Sequence, residues 1–246
     1  MLRWSLLAAF LLGWEALRRF DIVPAMLLAS PSEIIQAWRD AGPEFLAAFR
    51  LTVIEIAISL VITCSLGIAA GLFAGSSARR AAIIGPLLSS LFAIPLITLY
   101  PLFMVWAGIG PPSKVLFAVV SGVLPIAINT MTGVHMLDRK YIVLGQSVGA
   151  SRTQIICKVL IPLAMPSVIS GLRIGTSLVV IGVVVAEMLA SLGGLGFYIS
   201  YHRTLFNTGH VYLGILLALV CVLFVNWALS LLEKHFDQWR SLEMAS

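Results

Sequence analysis

Apolar residues in this chain run in long uninterrupted stretches and do not alternate with polar ones. A helix needs about 20 apolar residues to cross about 30 Å of hydrocarbon. Segments 51–75, 81–109, 115–137, 174–200 and 211–232 reach that length, and no charge falls between Ala81 and Ser113 or between Val211 and Leu232. The pattern predicts five membrane-spanning helices. A sixth candidate, Trp4–Leu17, is shorter, carries Glu15 and is bounded by Arg3, Arg18 and Arg19. A signal-peptide core has this length, but the charges stand where its small-residue cleavage site would follow. It is read as a retained first helix, tilted or partly interfacial. In the stretch 21–44, Ser32 with Pro31 marks a further helix start. The fold class expected is all-α: one polytopic membrane bundle over residues 1–246, with about six transmembrane helices and its core at 45–236.

Between the third and fourth long segments, residues 138–166 have the pattern of two short helices. Tyr141, Ile142, Leu144 and Val148 recur at helical spacing and stop at Gly149, a residue suited to the left-handed conformation that ends a helix. Ser151 with Gln154 three positions on has the form of a capping box, and Ile155, Ile156, Val159 and Leu160 supply an apolar face up to Pro162, which is expected to close the helix. A tight Gly149-Ala150-Ser151 corner, with Arg152 and Lys158 exposed, suits a cleft on a cytosolic partner. It equally suits an amphipathic hairpin lying on anionic lipid.

Composition narrows the class. At 60% hydrophobic and 11% charged, the chain is far from the roughly 25% charged composition of soluble domains. The net charge of +5 forms no basic stripe with interleaved aromatics, so nucleic acid is not an expected partner. The basic residues instead read as a topology signal, because Lys and Arg near spans stay in the cytoplasm. Arg139, Lys140, Arg152, Lys158 and Arg173 fall together in the central loop, against Lys114 and Arg203 in its neighbours. That loop and both termini are therefore placed in the cytoplasm. Cys64, Cys157 and Cys221 form no disulfide framework, and His135, His202, His210 and His235 sit at segment ends without ligand spacing. No metal site and no catalytic cluster is expected.

Several polar residues lie inside the predicted spans. Pro86, Pro95 and Pro101 remove backbone donors within one of them and predict a bent, protein-packed helix. Thr98, Tyr100, Asn129 and Thr130 are candidates either to line a solute pathway or to hydrogen-bond between helices. Glu187 is the deepest carboxylate and is expected to face protein or water, with a structural or gating role. Glu55, four residues past Leu51, is expected to reach the interface. With Arg173 assigned to the loop, no Arg or Lys inside a span argues for an anionic solute. Gly193, Gly194 and Gly196 lack a preceding strand and a following Gly-Lys-Ser, so they read as a flexible outer turn and not a nucleotide loop.

Gly149-Ala150-Ser151-Arg152 followed by Val159-Leu160-Ile161-Pro162, with thirteen positions from Gly149 to Pro162, resembles the cytoplasmic signature loop of binding-protein-dependent ABC permeases. The Glu-Ala-Ala of that loop falls on Val143, Leu144 and Gly145, so the acidic position is absent. Ala93-Ile94-Pro95, Trp106-Ala107-Gly108-Ile109-Gly110, Ser170-Gly171-Leu172-Arg173, Ala186-Glu187-Met188 and Gly194-Leu195-Gly196 follow in family order and are similar to the sulfonate, taurine and nitrate branch. The resemblance implies a type I ABC importer permease in the bacterial inner membrane. It further implies two copies of this chain as a homodimer, two cytosolic ATPase subunits and an extracytoplasmic solute-binding protein. Gly149, Ala150, Ser151, Arg152 and Pro162 would form the ATPase-coupling loop. The chain would bind no cofactor, since ATP is hydrolysed by the partner, and would not itself be an enzyme. An ion-gradient-driven secondary transporter is the competing class, for which Glu187 is the only deep ionisable candidate.

Overall fold

The structure is a computed structural model that describes residues 2–137 and 139–243. Every regular element among them is helical: α1 (Leu2–Arg19), α2 (Pro31–Gly75), α3 (Ala78–Ala93), α4 (Tyr100–Ala107), α5 (Pro111–His135), α6 (Arg139–Ser147), α7 (Arg152–Ile155), α8 (Ile161–Leu189), α9 (Leu195–Thr204) and α10 (Thr208–Glu243). A short 3-10 turn, Leu96–Leu99, leads into α4, and a π turn, Ile156–Leu160, joins α7 to α8. Segments Pro31–Gly75, Pro111–His135, Thr153–Leu189 and Thr208–Leu231 are long and apolar enough to cross a membrane, and α3 with α4, taken as one broken span, makes a fifth. These correspond to the five stretches legible in the sequence. α1 is helical but, with Arg3, Glu15, Arg18 and Arg19 in its 18 residues, it is not among these segments.

Proline decides where the helices break. α2 runs on from Pro31 with a kink at Ala41 (φ −118°, ψ 17°), where Pro43 cannot donate and its ring crowds the carbonyl of Arg39. Its N-cap is Ser30 and not Ser32: the Ser30 N–H donates to Glu33 Oε2 (2.8 Å) and the Glu33 N–H to Ser30 Oγ (3.2 Å), with Pro31 at the first helical position. The expected bend in 81–109 is present as an 80° break between α3 and α4. It falls at Ile94, which is extended (φ −72°, ψ 131°) because the residue before a proline is pushed out of the helical region. Pro86 is carried inside α3, and Pro101 sits in the first turn of α4, where no donor is needed.

Two expected boundaries move. The span predicted at 174–200 is instead α8, which ends at Leu189 before the Ser191–Gly194 turn, and α9 is a separate helix. Pro162 does not close a helix. The chain continues through it, because the π turn widens the helix just ahead of a residue that offers no N–H.

Two compact units arise, Met1–Glu55 with Val183–Cys221 and Ile56–Gly182 with Val222–Ser246. In the first, Phe45, Leu195, Tyr198 and Leu213 form the core. α1 is tied down there: Trp14 Nε1 donates to the Ala29 carbonyl (2.8 Å), Glu15 accepts from the Ser32 hydroxyl (2.8 Å), and Arg18 pairs with Asp21 (2.8 Å) and Glu33 (3.2 Å).

The second unit is built around α5, whose buried face meets glycines on its neighbours. A methyl at Gly67 would fall 2.7 Å from Ile126 Cβ, at Gly71 2.8 Å from the Ala127 carbonyl oxygen, and at Gly75 2.6 Å from that of Met131. α8 approaches the other side, where a methyl at Gly175 would meet the Gly122 carbonyl oxygen at 2.6 Å. Lipid tails are as apolar as leucine, so association in a membrane rests on close van der Waals packing, and small residues permit it. Tyr100 and Phe103 of α4 stack edge-on to Phe117 of α5, with centroids 5.3 and 5.9 Å apart.

Gly175→Leu should therefore force α5 and α8 apart and cost about 1–3 kcal/mol, seen as a lower melting temperature of the purified protein in detergent. Gly13→Ala, at a position with open space around it, should leave melting unchanged. Equal melting of both variants would show that the crossing is not tightly packed.

Candidate functional site

The hairpin forms as its residues predict. Gly149 has φ +74°, its N–H donates to the Gln146 carbonyl (3.0 Å) and the Ala150 N–H to that of Gly145 (3.0 Å). This bond pair is a Schellman motif, which satisfies the last carbonyls of α6. On the other side of the corner the Ser151 N–H donates to Gln154 Oε1 (2.8 Å) and the Gln154 N–H to Ser151 Oγ (3.3 Å), the reciprocal bonds of a capping box. Both helix ends are thus capped by groups of the hairpin itself.

The apolar residues of the hairpin part ways. Ile155 and Leu160 are buried with Val134, Ala164 and Val168. On α6, Leu144 is 61% and Val148 81% exposed. Val143, where related loops carry an acid, is also exposed. The space around Gly149 is open. The Arg152 side chain, Asp138 and the side chain of Cys157 lie outside the described residues.

The polar residues within the spans do not form one cluster. Thr98 is exposed, with its hydroxyl donated to the Pro95 carbonyl (2.7 Å). Tyr100 is buried among aromatic rings. Asn129 donates to the Pro125 carbonyl (2.8 Å) and packs where Gly171 approaches, and buried Thr130 packs against Gly71. Glu55 is buried within the protein, near the middle of a helix that begins some twenty residues before the apolar stretch.

Glu187 is buried and organises a turn. The Thr52 hydroxyl donates to its Oε1 (2.8 Å), the Gly196 N–H donates to its Oε2 (2.8 Å), and the Leu195 N–H donates to Thr52 Oγ1 (2.8 Å). A carboxylate at the N-terminus of α9 satisfies free amides and complements the helix dipole. Gly194 is required twice: its φ is +101°, and a side chain there would collide with the Glu187 carboxylate. The glycine-rich turn is therefore fixed by a carboxylate and not loose.

Two features escaped the sequence. His202 and His210 stack with centroids 4.3 Å apart and planes at 13°, against Tyr198, because the turn containing Phe206 (φ 57°) folds α10 back on α9. Burial first, then the His210 charge, push the His202 value below its ordinary one, with Glu44 opposing. Burial, then Glu44, push the Tyr198 phenol up to about 12. Second, Arg173 belongs to α8 and not to the loop, and its Nη2 donates to Glu233 Oε2 of α10 (2.6 Å).

Residues 67–241 match the family described as binding-protein-dependent transport system inner membrane component. The chain is 28% identical over 93% of its length, and 83% of the relative, to the aliphatic sulfonates transport permease protein SsuC of Bacillus subtilis. It is 28% identical to the taurine transport system permease protein TauC of Escherichia coli, covering 95% and 87% of the two chains. It is 32% identical to the formylaminopyrimidine transport permease protein ThiX of Halalkalibacterium halodurans, covering 92% and 91%. Among solved structures, the inward-facing MetNI methionine ABC transporter shares its fold at TM-score 0.61 and 19% identity, over 85% of this chain and 99% of that one. An amino acid ABC transporter does so at 0.64 and 13%, over 81% and 97%.

Thr52→Val keeps the shape but removes the hydroxyl, leaving the Leu195 N–H unpaired at a cost of about 1–3 kcal/mol. Hydrogen exchange at Leu195 and Gly196 should quicken by roughly tenfold or more; unchanged exchange would remove Thr52 from the turn. His202 binds its proton less readily folded than unfolded, so its stability contribution is full above about pH 6.5 and is lost as pH falls below that. His202→Phe should flatten the fall in melting temperature on acidification, and an unaltered slope would show that His202 does not titrate in this range.

Proposed function

The chain belongs to the binding-protein-dependent transport system inner membrane component family, and on that premise we propose how this permease subunit of an ABC importer couples ATP to import. The Gly149-Ala150-Ser151 corner seats in a cleft of a cytosolic ATPase. The observation that carries this reading is the doubly capped corner with open space at Gly149 and exposed Leu144 and Val148 beside it. An exposed apolar flank on a capped backbone presents shape and surface to a partner without requiring the chain to refold.

Two copies of the chain assemble with two ATPase subunits, which bind and hydrolyse the ATP, and an extracytoplasmic binding protein delivers the solute. The hairpin and both termini face the cytoplasm, which agrees with the basic residues of 139–158. The solute is a small sulfonate, taurine, nitrate or a related compound, as the names of the relatives suggest. Movement of the ATPase pair shifts the corner, and only contacts that differ between the two ATPase states can drive that shift.

The test is solute uptake into vesicles holding the full chain, with and without the co-expressed ATPase subunit. Uptake should require ATP and the ATPase. A bulky side chain at the left-handed Gly149 position costs about 1–2 kcal/mol, so Gly149→Leu should distort the corner and lower uptake per ATP while the protein stays in the membrane. Uptake that survives without the ATPase and collapses with the proton or sodium gradient would instead identify a secondary transporter.

A further inference from the structure

α8 and α10 hold a charged pair, Arg173 and Glu233, beside an open cleft. Arg173, Ile174, Ser177 and Leu178 of α8, with Asn226 and Ser230 of α10, line a cleft of about 660 Å³. Arg173 stands on α8 sixteen residues before the helix ends at Leu189, on its hairpin side, within a segment long and apolar enough to cross a membrane. A charged side chain on such a helix normally faces protein or water.

The guanidinium is only partly committed. Its bond to Glu233 uses one N–H of five, and both side chains remain partly exposed, 52% and 37%. The neighbouring groups each make one bond to their own helix: Ser177 to the Arg173 carbonyl (2.9 Å), Asn226 Nδ2 to that of Val222 (3.1 Å) and Ser230 to that of Asn226 (2.9 Å). Asn226 keeps a second N–H for a ligand, whereas the Ser177 and Ser230 hydroxyls have already donated their one proton to the helix backbone. A cationic fork beside an amide N–H recognises a tetrahedral or planar oxyanion.

We propose that the α8/α10 cleft is a binding site for a singly charged oxyanion, a sulfonate or a phosphate, which takes the Arg173 guanidinium from Glu233. Glu233 neutralises Arg173 while the cleft is empty and competes with the ligand for it. The oxyanion comes either from the transported solute, in which case the site deepens the transport reading and rests on it, or from a lipid headgroup.

The test uses the full chain in phosphatidylcholine nanodiscs, with ethanesulfonate followed by saturation-transfer NMR and phosphatidylglycerol followed by retention in native mass spectrometry. One probe should bind the unmodified chain, Arg173→Gln should weaken it at least tenfold, and Glu233→Gln should tighten it severalfold by releasing the guanidinium. Ethanesulfonate showing this pattern assigns the site to the solute, and phosphatidylglycerol showing it assigns the site to lipid. If Arg173→Gln does not fold, Arg173→Lys, which keeps the charge but loses the fork, carries the same expectation of weaker binding. The proposal is overturned if neither probe responds to either Arg173 variant, or if the Arg173 and Glu233 variants shift binding in the same direction, as a purely structural ion pair would. Because neither ATPase nor transport enters the measurement, failure here and failure of uptake are separate results.

Discussion

Hydrocarbon supplies no hydrogen bonds, so every backbone amide and carbonyl inside a membrane has to find its partner within the protein. A helix meets that demand along its length and fails only at its ends and breaks. The breaks of this chain are placed and compensated one by one. At Ile94 the residue before Pro95 turns extended, and its N–H still reaches the Leu91 carbonyl. Ahead of Pro162 the helix widens into a π turn and continues. Beyond Leu189, where no helix continues, the side chains of Thr52 and Glu187 stand in for the missing carbonyls and take up the amides of Leu195 and Gly196.

The same solvent removes the usual driving force for packing apolar faces together, which leaves close approach as the main source of cohesion. Glycines on α2 and α8 bring their backbones against α5, and α5 accordingly carries the most deeply buried face of its unit. A helix held on two sides by backbone contact has little room to repack. The α3/α4 pair, by contrast, is broken by 80°.

Several polar groups of the helices hold the fold: Glu187 serves α9, while Asn129 bonds within its own helix and Thr130 packs against Gly71. Arg173 and Glu233 are different, being paired but partly exposed beside a cleft between α8 and α10. Together with the outward flank of α6, they are surfaces the isolated chain leaves incompletely matched. A permease subunit that works with other chains and moves a solute is expected to carry such surfaces.

The sequence by itself determined the class, the five long apolar stretches, the helix start near Pro31 and the hairpin corner. Those features depend on local rules: apolar length against membrane thickness, a glycine where φ must be positive, and a serine and glutamine three apart. The bend near Pro95 was legible for the same reason. Only the tertiary structure decided what depends on neighbours distant in sequence. It carried Glu55 into the middle of a longer helix, stacked His202 on His210, and set the Glu187 carboxylate against amides of the following turn. It also moved Arg173 from an apparent loop onto a span and took the helix through Pro162. A charge in a sequence resembles a loop signal until a partner such as Glu233 is brought within 2.6 Å of it, and a proline resembles a stop until a wider turn relieves its ring.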